Sequence, residues 1–253
     1  MSPRPGDGAQ GAVVVVAGAS SAAGTAMVRA LRTAGATAIA VGSNAERLAA
    51  AFGRPGGADD GGVPQRECDL TDYAGVQALA EDLRESFGAV DGVIHLVGGW
   101  RGGHSLTDQS DEDWDFLEKT GITTVRNTSR AFYDDLLGSR RGRFVIVSST
   151  LIEHPRAGYA NYAAAKAAAE AWTRAMARGF ASDQAERSGD PSPLTSAAVV
   201  LAVKALLDKE MLAAQPGRRF PGYTHVDALA ARTVALFSES AAAVNGARFD
   251  LTT

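Results

Sequence analysis

The sequence is short of cysteine, of any excess of one charge and of long apolar runs, and each shortage excludes a class of protein. A single cysteine, Cys68, in 253 residues rules out an internal disulfide and suits a reducing compartment. Cys68 closes an apolar-flanked run and reads as a buried strand residue rather than a reactive thiol. With 25 basic against 29 acidic side chains, formal charge −4, there is no footprint for nucleic acid and no polybasic patch for a membrane surface. No segment approaches the roughly 20 apolar residues needed to cross a bilayer. Arg4 followed by Val13–Ala17 mimics a signal peptide, but the run is short and flows into a glycine turn, so it reads as a first buried strand. His104 and His154 have no metal-ligand spacing with Cys68 or with paired carboxylates, so no metal is expected. The expected location is the cytoplasm.

What is present is an alternation of aliphatic runs and helical stretches in a chain that is 45% hydrophobic, enough to bury a substantial core. Residues 12–17, 37–41, 63–68, 93–97, 144–148 and 197–203 are strand candidates, with a last strand over 249–251. Between them, 22–34, 44–52, 73–87, 111–137, 159–185 and 226–237 have helical spacing or composition, the last capped by Thr224 with Asp227. Such an order specifies a doubly wound parallel α/β sheet, Rossmann-like, with helices on both faces. Strands of Val and Ile without polar alternation suit burial on both sides. The stretches 53–62 and 188–193 read as surface loops and residues 1–10 as flexible. Composition does not change across the loops, so 1–253 is read as a single domain.

The first strand runs into Ala17-Gly18-Ala19-Ser20-Ser21-Ala22-Ala23-Gly24-Thr25. Small residues there let a backbone approach a pyrophosphate at a helix N-terminus, and Ser20 or Ser21 can donate to it. The second strand ends Val41-Gly42-Ser43-Asn44, with no carboxylate before Glu46. Without an acid for ribose hydroxyls, and with Ser43 and Arg47 near a 2′-phosphate, NADP(H) is favoured over NAD(H). Asp69, after the third strand, meets the adenine edge or caps the next helix.

Tyr162 and Lys166 stand at i and i+4, on one helix face. An ammonium beside a phenol favours the phenolate, so the Tyr162 pKa is expected below its usual value near 10. Such a tyrosine passes a proton to or from a carbonyl oxygen. Ser148 or Ser149, ending a strand upstream, supplies a hydroxyl to orient that oxygen.

The glycine turn, Asp69-Leu70, a strand ending in serines and Tyr162-x-x-x-Lys166 together resemble the short-chain dehydrogenase/reductase family over nearly the whole chain. The family keeps its serine about a dozen residues before the tyrosine, which selects Ser149. The resemblance implies that Ser149 holds the substrate oxygen, Tyr162 transfers the proton, and Lys166 also binds the nicotinamide ribose. It further implies that Gly98 lines the cofactor, that 204–224 forms a substrate lid, and that the chain forms a homodimer or homotetramer through its two long helices. This chain departs from the family at several places. Ala22 replaces the middle glycine, His95-Leu96-Val97-Gly98 replaces Asn-Asn-Ala-Gly, and Gly121 aligns with the helix asparagine that holds a relay water. Val203-Lys204-Ala205 stands where Pro-Gly is usual. Thr120, Thr123 and Asn127 are candidates to compensate for Gly121, and His95 is a brace or a core histidine.

Substrate in this fold lies over the carboxyl ends of strands four to six. Trp100, Arg101, His104, Leu151, His154 and Tyr159 are candidate lining residues, with Phe220 and Tyr223 in the lid and Arg101 or Arg156 for an anion. The expected activity is reduction of a ketone or aldehyde, or the reverse alcohol oxidation. The altered positions keep two alternatives open: a non-redox dehydratase, isomerase or cyclase, and a cofactor-binding protein without turnover.

Overall fold

The computed structural model describes residues 7–54, 62–188 and 193–252. Its strands are β1 (Val13–Ala17), β2 (Thr37–Gly42), β3 (Gln65–Glu67), β4 (Gly92–His95), β5 (Arg143–Ser149), β6 (Ala197–Val203), β7 (Leu206–Leu207), β8 (Thr224–His225) and β9 (Arg248–Asp250). Its helices are α1 (Ala22–Thr33), α2 (Ala45–Phe52), α3 (Tyr73–Phe87), α4 (Asp111–Leu117), α5 (Thr124–Ala131), α6 (Tyr133–Gly138), α7 (Ala160–Ser188), α8 (Lys209–Ala214), α9 (Val226–Ala235) and α10 (Ala241–Val244). Seven strands form one parallel sheet in the order β3-β2-β1-β4-β5-β6-β9. The strand order reverses between β1 and β4, and a ligand crevice opens at such a switch point, outside the carboxyl ends of the strands.

Both sheet faces are covered, as the unalternated strands require. One face packs Met27 and Leu31 of α1 with Leu229 of α9 and Phe237. The other packs Leu83 of α3, Val125 of α5, Phe132, Phe144 and Phe180 of α7. Arg143, far from the crevice at the start of β5, is buried and donates to the carbonyls of Leu236, Gly142, Thr195 and Glu239 at 2.6–2.9 Å.

Several expectations need correction. The helix expected over 111–137 is interrupted by a π-helical turn, Glu118–Thr123, and by a break at Phe132. Thr120 and Thr124 turn their hydroxyls onto the carbonyls of Phe116 and Thr120, at 2.7 and 2.6 Å, a local competition that distorts helices. Gly121, a poor helix former, lies inside this turn. The cap of α9 is His225, whose Nδ1 accepts from the Asp227 N–H at 3.2 Å. Thr224 instead donates to the Leu251 carbonyl at 2.7 Å. Residues 1–6, 55–61 and 189–192 lie outside the described residues, so the loop and flexibility expectations there rest on sequence. Asp7–Ala9 form a 3-10 turn, and Arg141 ties this segment down through the Gly8 and Gln10 carbonyls at 2.9 and 2.8 Å. No helix among the described residues is long and apolar enough to cross a membrane.

Candidate active site

The crevice at the switch point is a cleft of about 450 Å3. Its walls come from the β1–α1 turn (Ser21, Ala22, Ala23), the end of β4 (Leu96–Trp100), the end of β5 (Val147, Ser148), Tyr162 and Lys166 of α7, and the end of β6 with Lys204 and Leu206. Four of these segments, distant in sequence, meet there because each leaves the same edge of one parallel sheet, and α7 lies over them.

The β1–α1 turn is built for close approach. Gly18 adopts φ +82°, and a Cβ there would stand 3.2 Å from the backbone of Leu96 and Val97. At Gly24 a Cβ would fall 2.4 Å from the Ala19 carbonyl oxygen, so the third glycine lets α1 pack onto its own turn. Ser21 is the N-cap of α1: its hydroxyl donates to the Gly18 carbonyl at 2.9 Å and accepts from the Gly24 N–H at 3.0 Å. The turn itself therefore uses Ser21, and Ser20 is left as the hydroxyl donor of the pair. Ala22 takes the middle glycine's place with its methyl at the cleft wall. The α1 N-terminus, with its unsatisfied N–H groups, faces an anion arriving there.

Along the adenosine side, Ser43 and Arg47 are exposed, and Asn44 caps α2 by accepting from the Arg47 N–H at 2.8 Å. A carboxylate absent from the end of β2 arrives instead from β3, where Glu67 accepts from the Ala45 N–H at 3.3 Å. Asp69 does not cap α3; Asp72 does. Asp69 folds onto the Thr71 N–H and hydroxyl at 2.9 and 2.8 Å, which lower its pKa. Leu70 is buried, and its carbonyl and that of Thr71 accept from Asn127 at 3.1 and 3.0 Å. Asn127, buried on α5, thus braces the Asp69–Thr71 loop and does not replace the missing side chain at Gly121. Nor do Thr120 and Thr123, whose hydroxyls go to the Phe116 carbonyl and to Glu118. Cys68 is buried, and burial with Asp69 and Asp72 raises its thiol to about 11, so it is inert near neutral pH.

The candidate proton-handling residues come from β5 and α7. Ser149 ends β5, and its Oγ accepts from the Leu151 N–H at 3.2 Å. The Ser149 hydroxyl beside Tyr162 favours the phenolate, but burial outweighs it and the tyrosine pKa is raised. The expected lowering by Lys166 is corrected: Lys166 Nζ donates to the Val147 carbonyl at 3.0 Å and lies 5.9 Å from the Tyr162 ring centre. Burial lowers Lys166 to about 8, opposed by the charge of Glu170. A Cβ on Gly98 would stand 3.4 Å from Lys166 Nζ, so glycine keeps the space beside the ammonium open. Ser148 is the other serine: its Oγ is buried without a partner.

His95 is 2% exposed, its Nε2 has no hydrogen-bond partner, and burial with Lys166 lowers its pKa to about 3. It is a neutral core histidine with an unmet acceptor or donor. Of the substrate candidates, Trp100 is 59% exposed on the cleft wall and packs against Tyr159 at a ring separation of 5.8 Å. His104 and His154 are exposed and outside the cleft lining. Arg101 is held by Asp113 at 3.4 Å and over the Phe116 ring at 3.9 Å. Residues 204–224 carry β7, α8 and β8, and Lys204 donates to the Pro221 carbonyl at 2.8 Å.

The small-residue turn, the α1 N-terminus and the open space at Gly98 suit an elongated dinucleotide ending beside Tyr162 and Lys166. Comparison with known proteins agrees with that geometry. The profile of the family described as short chain dehydrogenase matches residues 12–186. The 3-oxoacyl-[acyl-carrier-protein] reductase FabG of Escherichia coli (strain K12) is 31% identical over 173 residues, 68% of this chain and 69% of the relative. The 2,3-dihydro-2,3-dihydroxybenzoate dehydrogenase of Bacillus subtilis (strain 168) is 30% identical over 67% of this chain and 64% of its own. Among solved structures, a short chain dehydrogenase of Salmonella enterica serovar Typhi superposes with a TM-score of 0.80 at 19% identity, covering 100% of both chains. One from Shigella flexneri, complexed with NADP, reaches 0.77 at 20% identity over 96% of this chain and 97% of its own. At these identities the superpositions show the fold, while the profile and the relatives show the family. The chain belongs to the short-chain dehydrogenase/reductase family and is an NAD(P)-dependent oxidoreductase of that kind.

Proposed function

We propose that this chain reduces a small ketone or aldehyde with NADPH, or runs the reverse alcohol oxidation, through Ser149, Tyr162 and Lys166. The observation that carries the reading is Tyr162 and Lys166 side by side on the cleft wall, with the Ser149 hydroxyl beside the Tyr162 phenol. Ser149, its backbone at the end of β5 and its Oγ held by the Leu151 N–H, orients the carbonyl oxygen. Tyr162, kept protonated by burial, donates its proton to that oxygen as it gains charge. Lys166, with a pKa of about 8, is about nine-tenths protonated at pH 7 and stabilises the phenolate left behind. A bound nicotinamide supplies or accepts the hydride.

The Ser20 hydroxyl and the N–H groups of Ala22 and Ala23 would hold the pyrophosphate, and Gly98 and Lys166 the nicotinamide end. Preference for NADPH rests on exposed Ser43 and Arg47 beside the end of β2, where a guanidinium and a hydroxyl match a phosphate. Two of the solved relatives, from Shigella flexneri and Escherichia coli CFT073, were crystallised with NADP and NADPH. Trp100 and Tyr159 suit an apolar or ring-bearing substrate. The reading extends to a homodimer or homotetramer built on α4–α6 and α7, which sizing chromatography measures.

Turnover against a ketone panel, with Tyr162→Phe as the comparison, tests the proton assignment: loss of the donor lowers kcat by about 10²–10⁴-fold. Full reductase activity in Tyr162→Phe would refute it. Fluorescence titration with NADPH and NADH tests the cofactor reading. Arg47→Ala weakens NADPH by about tenfold or more, the worth of one charge-assisted hydrogen bond, and leaves NADH unchanged. Equal effects on both cofactors would refute the preference.

A further inference from the structure

A charged network reaches the site from the far edge of the sheet. Arg248 on β9 lies two strands away from β5, yet its Nη2 donates to the Ser149 carbonyl at 3.1 Å. Its Nε contacts both carboxylate oxygens of Glu170, at 3.1 and 3.2 Å, and Nη1 meets the Glu153 carboxylate. Glu170 is 3% exposed and stands at i+4 from Lys166, on the same face of α7. The guanidinium thus joins two members of the Ser149–Tyr162–Lys166 site, one through its backbone and one through its neighbouring charge.

We propose that Arg248 is a positioning residue for the reaction, holding the Ser149 end of β5 and aiming Glu170 at Lys166. This inference rests on the reading of that site given above. A planar fork suits the task, because it bonds a backbone carbonyl and two carboxylates in fixed directions. The Ser149 hydroxyl is fixed from the other side by the Leu151 N–H, so carbonyl and hydroxyl are each restrained. The edge strand supplies the anchor: Arg248 pairs with Val200 of β6, and β6 pairs with β5 up to Ser149. Packing alone gives no reason for a guanidinium here, since a buried ion pair stabilises no better than apolar side chains of equal volume.

The groups that face this network are countable. Glu170 meets Arg174 of its own helix at 3.5 Å as well as Arg248, and its charge favours the Lys166 ammonium. Lys166 also faces Tyr162 and the neutral His95. Removing the carboxylate takes away support for the ammonium. Removing the guanidinium takes away a positive charge and leaves Glu170 shared only between Arg174 and Lys166, so its support for the ammonium grows. The two changes therefore move the Lys166 titration in opposite directions, which a purely structural role does not require.

The experiment uses the full chain and the variants Arg248→Met, Arg248→Lys and Glu170→Gln. Arg248→Met lowers kcat by about ten- to a hundredfold, the cost of a small misplacement at a reacting centre, with dinucleotide Kd unchanged. Arg248→Lys, a point ammonium in place of the planar fork, recovers part of that loss. NMR titration of labelled lysine in the protein without dinucleotide follows Lys166, whose midpoint begins near 8. It falls in Glu170→Gln and rises in Arg248→Met. If Arg248→Met is too unstable to study, Arg248→Met/Glu170→Gln removes both charges of the pair together and still lacks the Ser149 anchor, so kcat stays low. A variant Arg248→Met with wild-type kcat and an unmoved Lys166 midpoint overturns the proposal. Absence of wild-type turnover with any carbonyl tells against the reductase reading instead, and the NMR titration still decides the Arg248–Glu170–Lys166 coupling.

Discussion

The Lys166 ammonium makes a prediction about pH that distinguishes it from an ordinary surface lysine. Burial lowers its pKa from 10.5 to about 8, a change worth about 3 kcal/mol against the charged form. That cost is borne because Nζ donates to the Val147 carbonyl at 3.0 Å and Glu170 lies one turn away. Below pH 8 the ammonium is present and supports the tyrosinate that forms as Tyr162 gives up its proton. Above it the amine is neutral and that support is gone. Reductase kcat/KM, which reports the groups of the free enzyme, is therefore lost as pH rises through about 8, with the slope of a single proton. The tyrosine does not set this limb, because burial raises its pKa above the ordinary value near 10. The assay is initial rate against pH from 6 to 10, with Lys166→Arg as the comparison. A guanidinium does not deprotonate in this range, so any activity that variant retains lacks the alkaline limb. A wild-type profile flat to pH 10, or a limb that persists in Lys166→Arg, would refute the assignment.

Two further expectations follow from the surrounding shell. Asn127→Ala removes both bonds to the Leu70 and Thr71 carbonyls. It should cost about 1–3 kcal/mol in urea unfolding and weaken dinucleotide binding, while kcat at saturation is unchanged; intact affinity would remove Asn127 from the adenosine loop's support. His95 is neutral down to about pH 3 in the folded chain, against 6.5 ordinarily, so the unfolded chain takes up a proton that the folded one does not. Stability falls as pH drops below 6.5, by about 2 kcal/mol between pH 7 and 5 from this group alone. Urea midpoints of His95→Leu should lose that much less over the same interval, and an identical pH dependence would show that His95 is not held neutral.

Much of the architecture was legible because it depends on period and order alone. Valine-rich runs such as Val13–Ala17 and Ala197–Val203 state burial on both faces, and their alternation with helices leaves a parallel sheet as the consistent packing. Tyr162 and Lys166 share a face at any helical geometry, so their pairing needed no tertiary information. The surroundings of the substrate-side histidines were not legible. His104 and His154 follow the correct strands, but their loops turn them to solvent, and loop direction is set by contacts such as the Asp108 carboxylate on the His104 N–H at 3.2 Å. Helix continuity across 111–137 failed for a related reason: threonine hydroxyls and Gly121 changed the turn without changing the apolar spacing.

The sequence by itself determined the sheet and the glycine turn, since each is written in local pattern and spacing, and its family resemblance nominated Ser149, Tyr162 and Lys166 as the candidate proton-handling residues. Only the tertiary structure decided the environment that tunes them. Burial sets the direction of the Tyr162 and Lys166 pKa values, and the Glu67 carboxylate reaches the end of β2 from a neighbouring strand. Asn127 serves the Asp69–Thr71 loop rather than Gly121, and Arg248 reaches Ser149 across β6. Desolvation and long-range hydrogen bonds depend on which atoms lie near one another in space, and the distance along the chain from Ser149 to Arg248 carries no trace of the 3.1 Å that separates them in the fold.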